Sequence, residues 1–208
     1  MADPMWQTIH VERRALADDL RGLDPAQWAT PSWCTDWTVQ DTLGHLTSTA
    51  TMTPLRFILG FARAGFRFPS FSAVGMARYR GASPAEALAN FVAHQDDSTS
   101  PPGPKTSWLG EILVHSQDIR GALGIAHTSP VDAARDVAQF YAGSNALIGA
   151  KDRVAGLTLR ATDTEWSHGS GPEVSGPVMS LVMAMTGRAP ALEALSGPGV
   201  DSLRARCG

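Results

Sequence analysis

The sequence holds two cysteines, Cys34 and Cys207, in 208 residues. Two thiols cannot staple a fold, so a disulfide framework is excluded and both are expected reduced, Cys207 in a frayed tail. Long apolar runs are missing as well. None approaches the roughly 20 residues that span a bilayer, and no basic segment followed by an apolar one opens the chain. The expectation is a cytoplasmic protein with no membrane partner. Lysine occurs twice, as Lys105 and Lys151, no run of basic residues appears, and the formal net charge is -3. That balance lacks the electrostatic footprint of a nucleic-acid binder. What remains is an ordinary globular composition, 43% hydrophobic and 18% charged, which argues against disorder. The length suffices for one large domain, or for a medium and a small one.

The most informative stretch is Trp108 to Leu123. Leu109, Ile112, Leu113, Ile119 and Leu123 recur at helical spacing with no proline among them, which predicts a helix ended by Gly124. Glu111, His115 and Asp118 then fall in one narrow stripe bordering the apolar face. A Glu and a His four apart are commonly a solvated pair worth about 0.2–0.5 kcal/mol. At the edge of a core, however, a carboxylate and an imidazole need a partner, and a divalent metal supplies one.

Upstream, residues 5 to 22 read as an amphipathic helix, followed by a tryptophan-rich loop, Trp28 to Trp37, expected to be buried against the body. Thr38 to Asp41 opens a second helix through a variant capping box, and that helix is expected to run to about Phe61. Within it Asp41 and His45 lie four apart. Residues 65 to 71, rich in phenylalanine, read as a loop packing its rings or as a pocket wall. Ser83-Pro84 starts a third helix reaching about Asp97, and the prolines of 98 to 104 break the chain before the Trp108 helix. Four helices in this order predict an antiparallel bundle with a site in its core. Pro130 starts a fifth helix toward Ile148. From Lys151 the pattern becomes strand-like at Leu157 to Thr162, with a second strand carrying Trp166, and Pro177 to Gly187 reads as a buried helix. The predicted domains are 1–150, the helical bundle, and 151–208, a small α/β module.

His45, Glu111 and His115 together form the ligand class of catalytic zinc, which takes three protein ligands and keeps one position open. Asp41 and Asp118, each one turn from a ligand, are expected to orient the imidazoles. Zinc with one carboxylate keeps one positive charge, so an incoming thiolate or hydroxide would neutralise the set and the metal would activate that nucleophile; two further readings stand beside a thiol-activating enzyme. One is a zinc hydrolase with Asp41 or Asp118 as general base. The other is a non-catalytic metal-binding bundle, for which Cys34 is the fourth-ligand candidate.

The segment from Trp28 through Pro31, Trp33, Asp36, Trp37 and Asp41 to His45-Leu46, the run Gly110-Glu111 to Asp118-Ile119, and Ala161 to Glu173 resemble the mycothiol-dependent maleylpyruvate isomerase family, within the DinB-like bundles. The resemblance implies a DinB-like four-helix bundle with a small C-terminal α/β domain, zinc ligated by His45, Glu111 and His115, and mycothiol as cosubstrate. It also implies a catalytic arginine, matched by Arg188. The implied chemistry is addition of an activated thiolate to a cis double bond, rotation, and elimination to the trans product, or S-conjugation of a stable electrophile. The expected partners are a small electrophile and a thiol, in a monomer or homodimer.

Overall fold

A computed structural model describes residues 3–145 and 148–207. The chain divides into two compact units, Met1–His127 and Thr128–Gly208.

The first unit is helical: α1 (Pro4–Leu20), α2 (Pro25–Trp28), α3 (Val39–Ala50), α4 (Pro54–Arg63), α5 (Phe68–Tyr79), α6 (Pro84–His94) and α7 (Lys105–Leu123). Helices α1, α6, α3 and α7 close a four-membered ring, each against the next. Its core holds Ile9, Leu16, Leu20, Leu43, Leu46, Phe91, Ile112, Leu113 and Ile119, all nearly inaccessible. Helix α3 starts at a full capping box, in which Thr38 Oγ1 accepts from the Asp41 amide and Asp41 Oδ2 accepts from the Thr38 amide. Helix α7 ends as expected, at Gly124 with φ 66°.

Two expectations for this unit are corrected. The second helix does not reach Phe61: it stops at Ala50, and Thr53 caps a new helix with Pro54 in its first turn. The phenylalanine-rich stretch is a turn only over residues 65–67; Phe68 already begins α5, whose arginine-flanked, weakly patterned sequence carries little periodicity, and Phe71 lines a cleft. Helix α5 lies along α3, and glycine allows it. A Cβ on Gly44 would sit 2.9 Å from the Arg80 Cα and amide nitrogen, and one on Gly75 would sit 2.2 Å from Ser48 Oγ.

The second unit contains α8 (Val131–Ala142), α9 (Ala150–Arg153), β1 (Thr158–Ala161), β2 (Ser167–Gly169), β3 (Glu173–Gly176), α10 (Val178–Met185), a 3-10 turn (Ala189–Ala194) and α11 (Val200–Arg204). Strand β1 is central, antiparallel to β2 with Leu159 opposite His168, and parallel to β3 with Leu159 opposite Val174. The third strand follows the Gly171-Pro172 break and is too short to show alternation. Helix α10 covers the sheet with Leu181, Val182 and Met185 fully buried. The fifth helix ends at Ala142, where Gly143 follows, and its expected extension crosses residues 146 and 147, outside the described ones. The unit boundary thus falls at 127/128 instead of 150/151, because α8 packs on α10 and Gln139 Oε1 accepts from Trp166 Nε1 at 3.1 Å. Cys207 is not frayed: it is half-buried behind α11, its thiol directed to the Ala184 carbonyl, and burial pushes its pKa up. No helix among the described residues is long and apolar enough to cross a membrane.

Candidate metal centre

The bundle brings His45 of α3 to Glu111 and His115 of α7, and one donor atom from each lies within 4.8 Å of the other two. Glu111 Oε2 is the meeting point. It is 2.9 Å from His45 Nε2 and 3.7 Å from His115 Nε2. Both imidazoles are buried, at 7% and 9% exposure, while the Glu111 side chain keeps 23%, so solvent reaches the trio along the carboxylate.

The far nitrogen of each ring is also held. His115 Nδ1 donates to Asp118 Oδ2 at 2.9 Å, and Asp118 is wholly buried. His45 Nδ1 lies 3.2 Å from Ser72 Oγ on α5. Asp118, which only accepts, leaves His115 Nε2 for a cation, and Ser72 can do the same for His45 by accepting from its Nδ1 once a cation takes the place of the proton between His45 Nε2 and Glu111. Asp118 therefore stands where the sequence placed it. Asp41 does not orient His45: its Oδ2 accepts from the Thr38 amide and hydroxyl, and its Oδ1 accepts from Arg80 Nε, so the helix cap and the Arg80 ion pair between them engage both oxygens. Ser72 takes that role instead.

A docked loop closes the other side. The Trp33 amide donates to the Asp118 carbonyl at 3.1 Å, and its indole lies so flat on α7 that a Cβ on Gly121 would fall 2.4 Å from it. The Pro31–Thr38 bridge ties the loop's ends. Trp37 is thereby laid against both imidazoles, with ring centroids 4.7 Å from His45 and 5.7 Å from His115. Cys34 arrives beside His115 and groups with His115 and Asp118, not with His45 and Glu111. The tryptophan density of residues 28 to 37 was the available signal for Trp37, whereas Ser72 had none.

Electrostatics set the two rings apart. Burial pushes the His45 pKa below 6.5, opposed by its Glu111 hydrogen bond. Burial acts the same way on His115, but hydrogen bonds with Asp118 and Cys34 and the charges of Glu111 and Asp118 outweigh it, and its pKa rises to about 10. One imidazolium beside two carboxylates leaves the pocket cation-attracting. Two Nε2 donors and a carboxylate fit a borderline divalent ion of the zinc kind. Arg188 lies in the C-terminal unit, where its Nη1 donates to the Thr186 carbonyl at 3.0 Å.

No curated protein matches the sequence. Among solved structures, the chain is similar to a crystal structure of the mycothiol-dependent maleylpyruvate isomerase, with TM-score 0.59 and 14% identity over 94% of this chain and 92% of that one. A histidine-to-alanine mutant of a mycothiol-dependent maleylpyruvate isomerase gives TM-score 0.57 and 13% identity over the same shares. At such identities the likeness is one of fold. Residues 9–101 match the family model described as the mycothiol maleylpyruvate isomerase N-terminal domain, a span that includes the Trp28–Trp37 loop and His45. The likeness in sequence thus lies in the first unit, and the likeness to the solved structures is one of fold.

Proposed function

We propose that the chain is a metal-dependent enzyme that activates a low-molecular-weight thiol, mycothiol by its resemblance to the mycothiol-dependent isomerases, toward a small electrophile. It acts as a thiol S-transferase or as a maleylpyruvate-type cis-trans isomerase. One observation carries the reading: Nε2 of His45 and of His115 converge on Glu111 Oε2 while Ser72 and Asp118 hold the opposite nitrogens. A divalent ion bound there, zinc by donor type, supplies a Lewis acid that lowers the pKa of a thiol. The chain's own residues prepare the place. Asp118 and Ser72 fix the ring orientations, Trp37 shields the imidazoles from one side, and the exposed edge at Glu111 leaves a side on which the thiol enters. Glu111 brings one negative charge against two positive, so an incoming thiolate would neutralise the set. On the strength of the resemblance, Arg188 is proposed to hold a substrate carboxylate.

The competing readings lose support from the same geometry. A hydrolase needs a free general base, but Asp41 is committed to Thr38 and Arg80, and Asp118 to His115. A structural zinc site needs a fourth protein ligand, and Cys34 does not group with His45 and Glu111.

The test is metal analysis of purified wild type and His115→Ala, followed by calorimetry with mycothiol. About one metal per chain, lost in the variant, is expected of a three-ligand centre. Thiol binding should require the metal. Metal uptake without thiol binding would sink the thiol reading, and no uptake at all would sink the metal centre. Turnover of maleylpyruvate against S-conjugation of a stable electrophile separates isomerase from transferase.

A further inference from the structure

Between Asp41 and Glu86 the chain has no acidic residue, yet it carries Arg56, Arg63, Arg67, Arg78 and Arg80. In a protein of net charge -3 this is a concentrated positive segment, spread along two helices instead of in one run. The same segment bears most of the exposed large hydrophobics: Leu55 at 66%, Ile58 at 57%, Leu59 at 45%, Phe66 at 72% and Val74 at 71%. Neither α4 nor α5 has a fully buried residue.

Both features meet at a cleft of about 620 Å³ between α4 and α5, floored by Ser48, Thr51 and Met52 at the end of α3. Its walls are apolar, with Leu55 and Leu59 facing Phe71 and Val74, and Arg56, Arg63 and Arg78 stand among the lining residues. The two helices that form the walls brace each other. Phe71 makes ring contacts with Phe57 at 5.4 Å and Phe61 at 6.0 Å, so the hairpin has its own aromatic brace. The arginines are short of counter-charge. Arg56 gives Nη1 to the Thr51 carbonyl at 3.0 Å, Arg78 lies 5.6 Å from the Tyr79 ring centre, and no ion pair forms with Arg56, Arg63 or Arg78 among the described residues. A guanidinium without a carboxylate partner beside an apolar cleft is a ready anchor for an anion. The volume and the balance of apolar wall to polar anchor are those of a small-molecule site.

We propose that the α4–α5 cleft binds an amphipathic organic anion: an apolar chain or ring of roughly 8–12 carbons, sized to a cleft of a few hundred cubic ångströms, ending in a carboxylate or sulfonate. The apolar body lies between Leu59 and Val74, and the acid group meets Arg63, at the end of α4, or Arg78, near the end of α5. None of His45, Glu111 and His115 is among the cleft's lining residues. Ser72, which touches His45, is not among the cleft's lining, so the proposal does not rest on the metal reading.

Decanoate, titrated calorimetrically below its micelle concentration into the wild-type protein, is the probe. Saturable binding is expected, weakened at least about tenfold in Arg63→Glu/Arg78→Glu, whose exposed positions leave folding intact as checked by circular dichroism. Decan-1-ol, with the same chain and no charge, should bind at least about tenfold more weakly than decanoate. His115→Ala should leave decanoate affinity unchanged. Binding lost in His115→Ala would place the anion at the metal centre and overturn the proposal. So would equal binding to the charge-reversed protein, or association with anionic-lipid vesicles and none with monomeric decanoate.

Discussion

The metal-free centre should hold one proton that a metal must displace. The His115 imidazolium, although buried, is kept charged by hydrogen bonds with Asp118 and Cys34 and by the nearby carboxylates, which push its pKa up to about 10. His45 goes the other way, driven below 6.5 by burial. From about pH 7 to about pH 9 the pair therefore carries a single proton, on His115. An ion competing for both Nε2 atoms expels it, so apparent metal affinity should rise about tenfold, or about 1.4 kcal/mol, per pH unit in that range. Titrating metal into chelator-treated protein by calorimetry, in buffers of different ionisation enthalpy, counts the proton directly; about one should be released near pH 7.5. Asp118→Asn keeps an acceptor for His115 Nδ1 but removes the charge and the foremost raising influence. Its pH dependence should flatten. Its affinity, extrapolated to the fully deprotonated site, should fall about 10–100-fold, the usual effect of losing the partner behind a ligating imidazole. Release of no proton or of two by the wild type, or an unaltered slope in Asp118→Asn, would refute the assignment.

Arg120, 1% exposed, donates from Nε to Asp19 Oδ2 at 2.7 Å and lies 3.6 Å from Glu12 Oε2, which is itself 2.9 Å from His127. Arg120→Ala strands a buried carboxylate and should cost about 3–5 kcal/mol in denaturant unfolding, whereas Arg120→Met with Glu12→Gln should recover most of it; a loss under about 1 kcal/mol would mean the cluster is solvated. Gly44→Ala should destabilise by about 1–3 kcal/mol, because its nearest neighbours are Arg80 and Met76 backbone atoms at 2.9 to 3.0 Å that cannot step aside. It should also weaken metal binding by displacing Ser72, and an unchanged unfolding midpoint would contradict the close approach. For Asp41, burial raises the carboxyl pKa, but hydrogen bonds from Thr38 and Arg80 together outweigh it and hold it below 3.8. A depressed folded-state pKa stabilises fully above the unfolded value, and that contribution fades as the pH falls through the folded one. Acid unfolding of Asp41→Asn should therefore show a shallower loss below the ordinary carboxyl value of 3.8 than the wild type, and identical acid limbs would rule the capping carboxylate out.

What could be read from the residues depended on whether a pattern was local. The Glu111-His115-Asp118 stripe is a property of one helix, and its members fall where helical spacing puts them. His45 depends on a second helix, but its capping box and apolar face were enough to orient it. Asp41 shows the limit of spacing: a carboxylate one turn before a histidine is equally one that closes a capping box, and the amide of Thr38 competes successfully for it. The break at Ala50 had a written signal, Thr53-Pro54, outweighed by the apolar run beyond it. Helix α5 and strand β3 had almost none, one being weakly patterned and the other four residues long.

The remaining site residues were hidden because glycine specifies them by omission. Gly44 immediately precedes His45, and the missing Cβ lets α5 lie close enough for Ser72 to reach that imidazole. Gly121, on the helix that carries His115, leaves a flat seat for the Trp33 indole, and the docked loop then delivers Trp37 to both rings and Cys34 to His115. Hydrophobic periodicity records which side chains face a core, whereas these two approaches are recorded only as side chains that are absent. A helix interior accepts glycine at about 0.5–1 kcal/mol relative to alanine. Bearing that cost one residue from a metal-ligand candidate, and again one turn and a half beyond the second histidine, is what places a hydroxyl and an indole where each ring needs them.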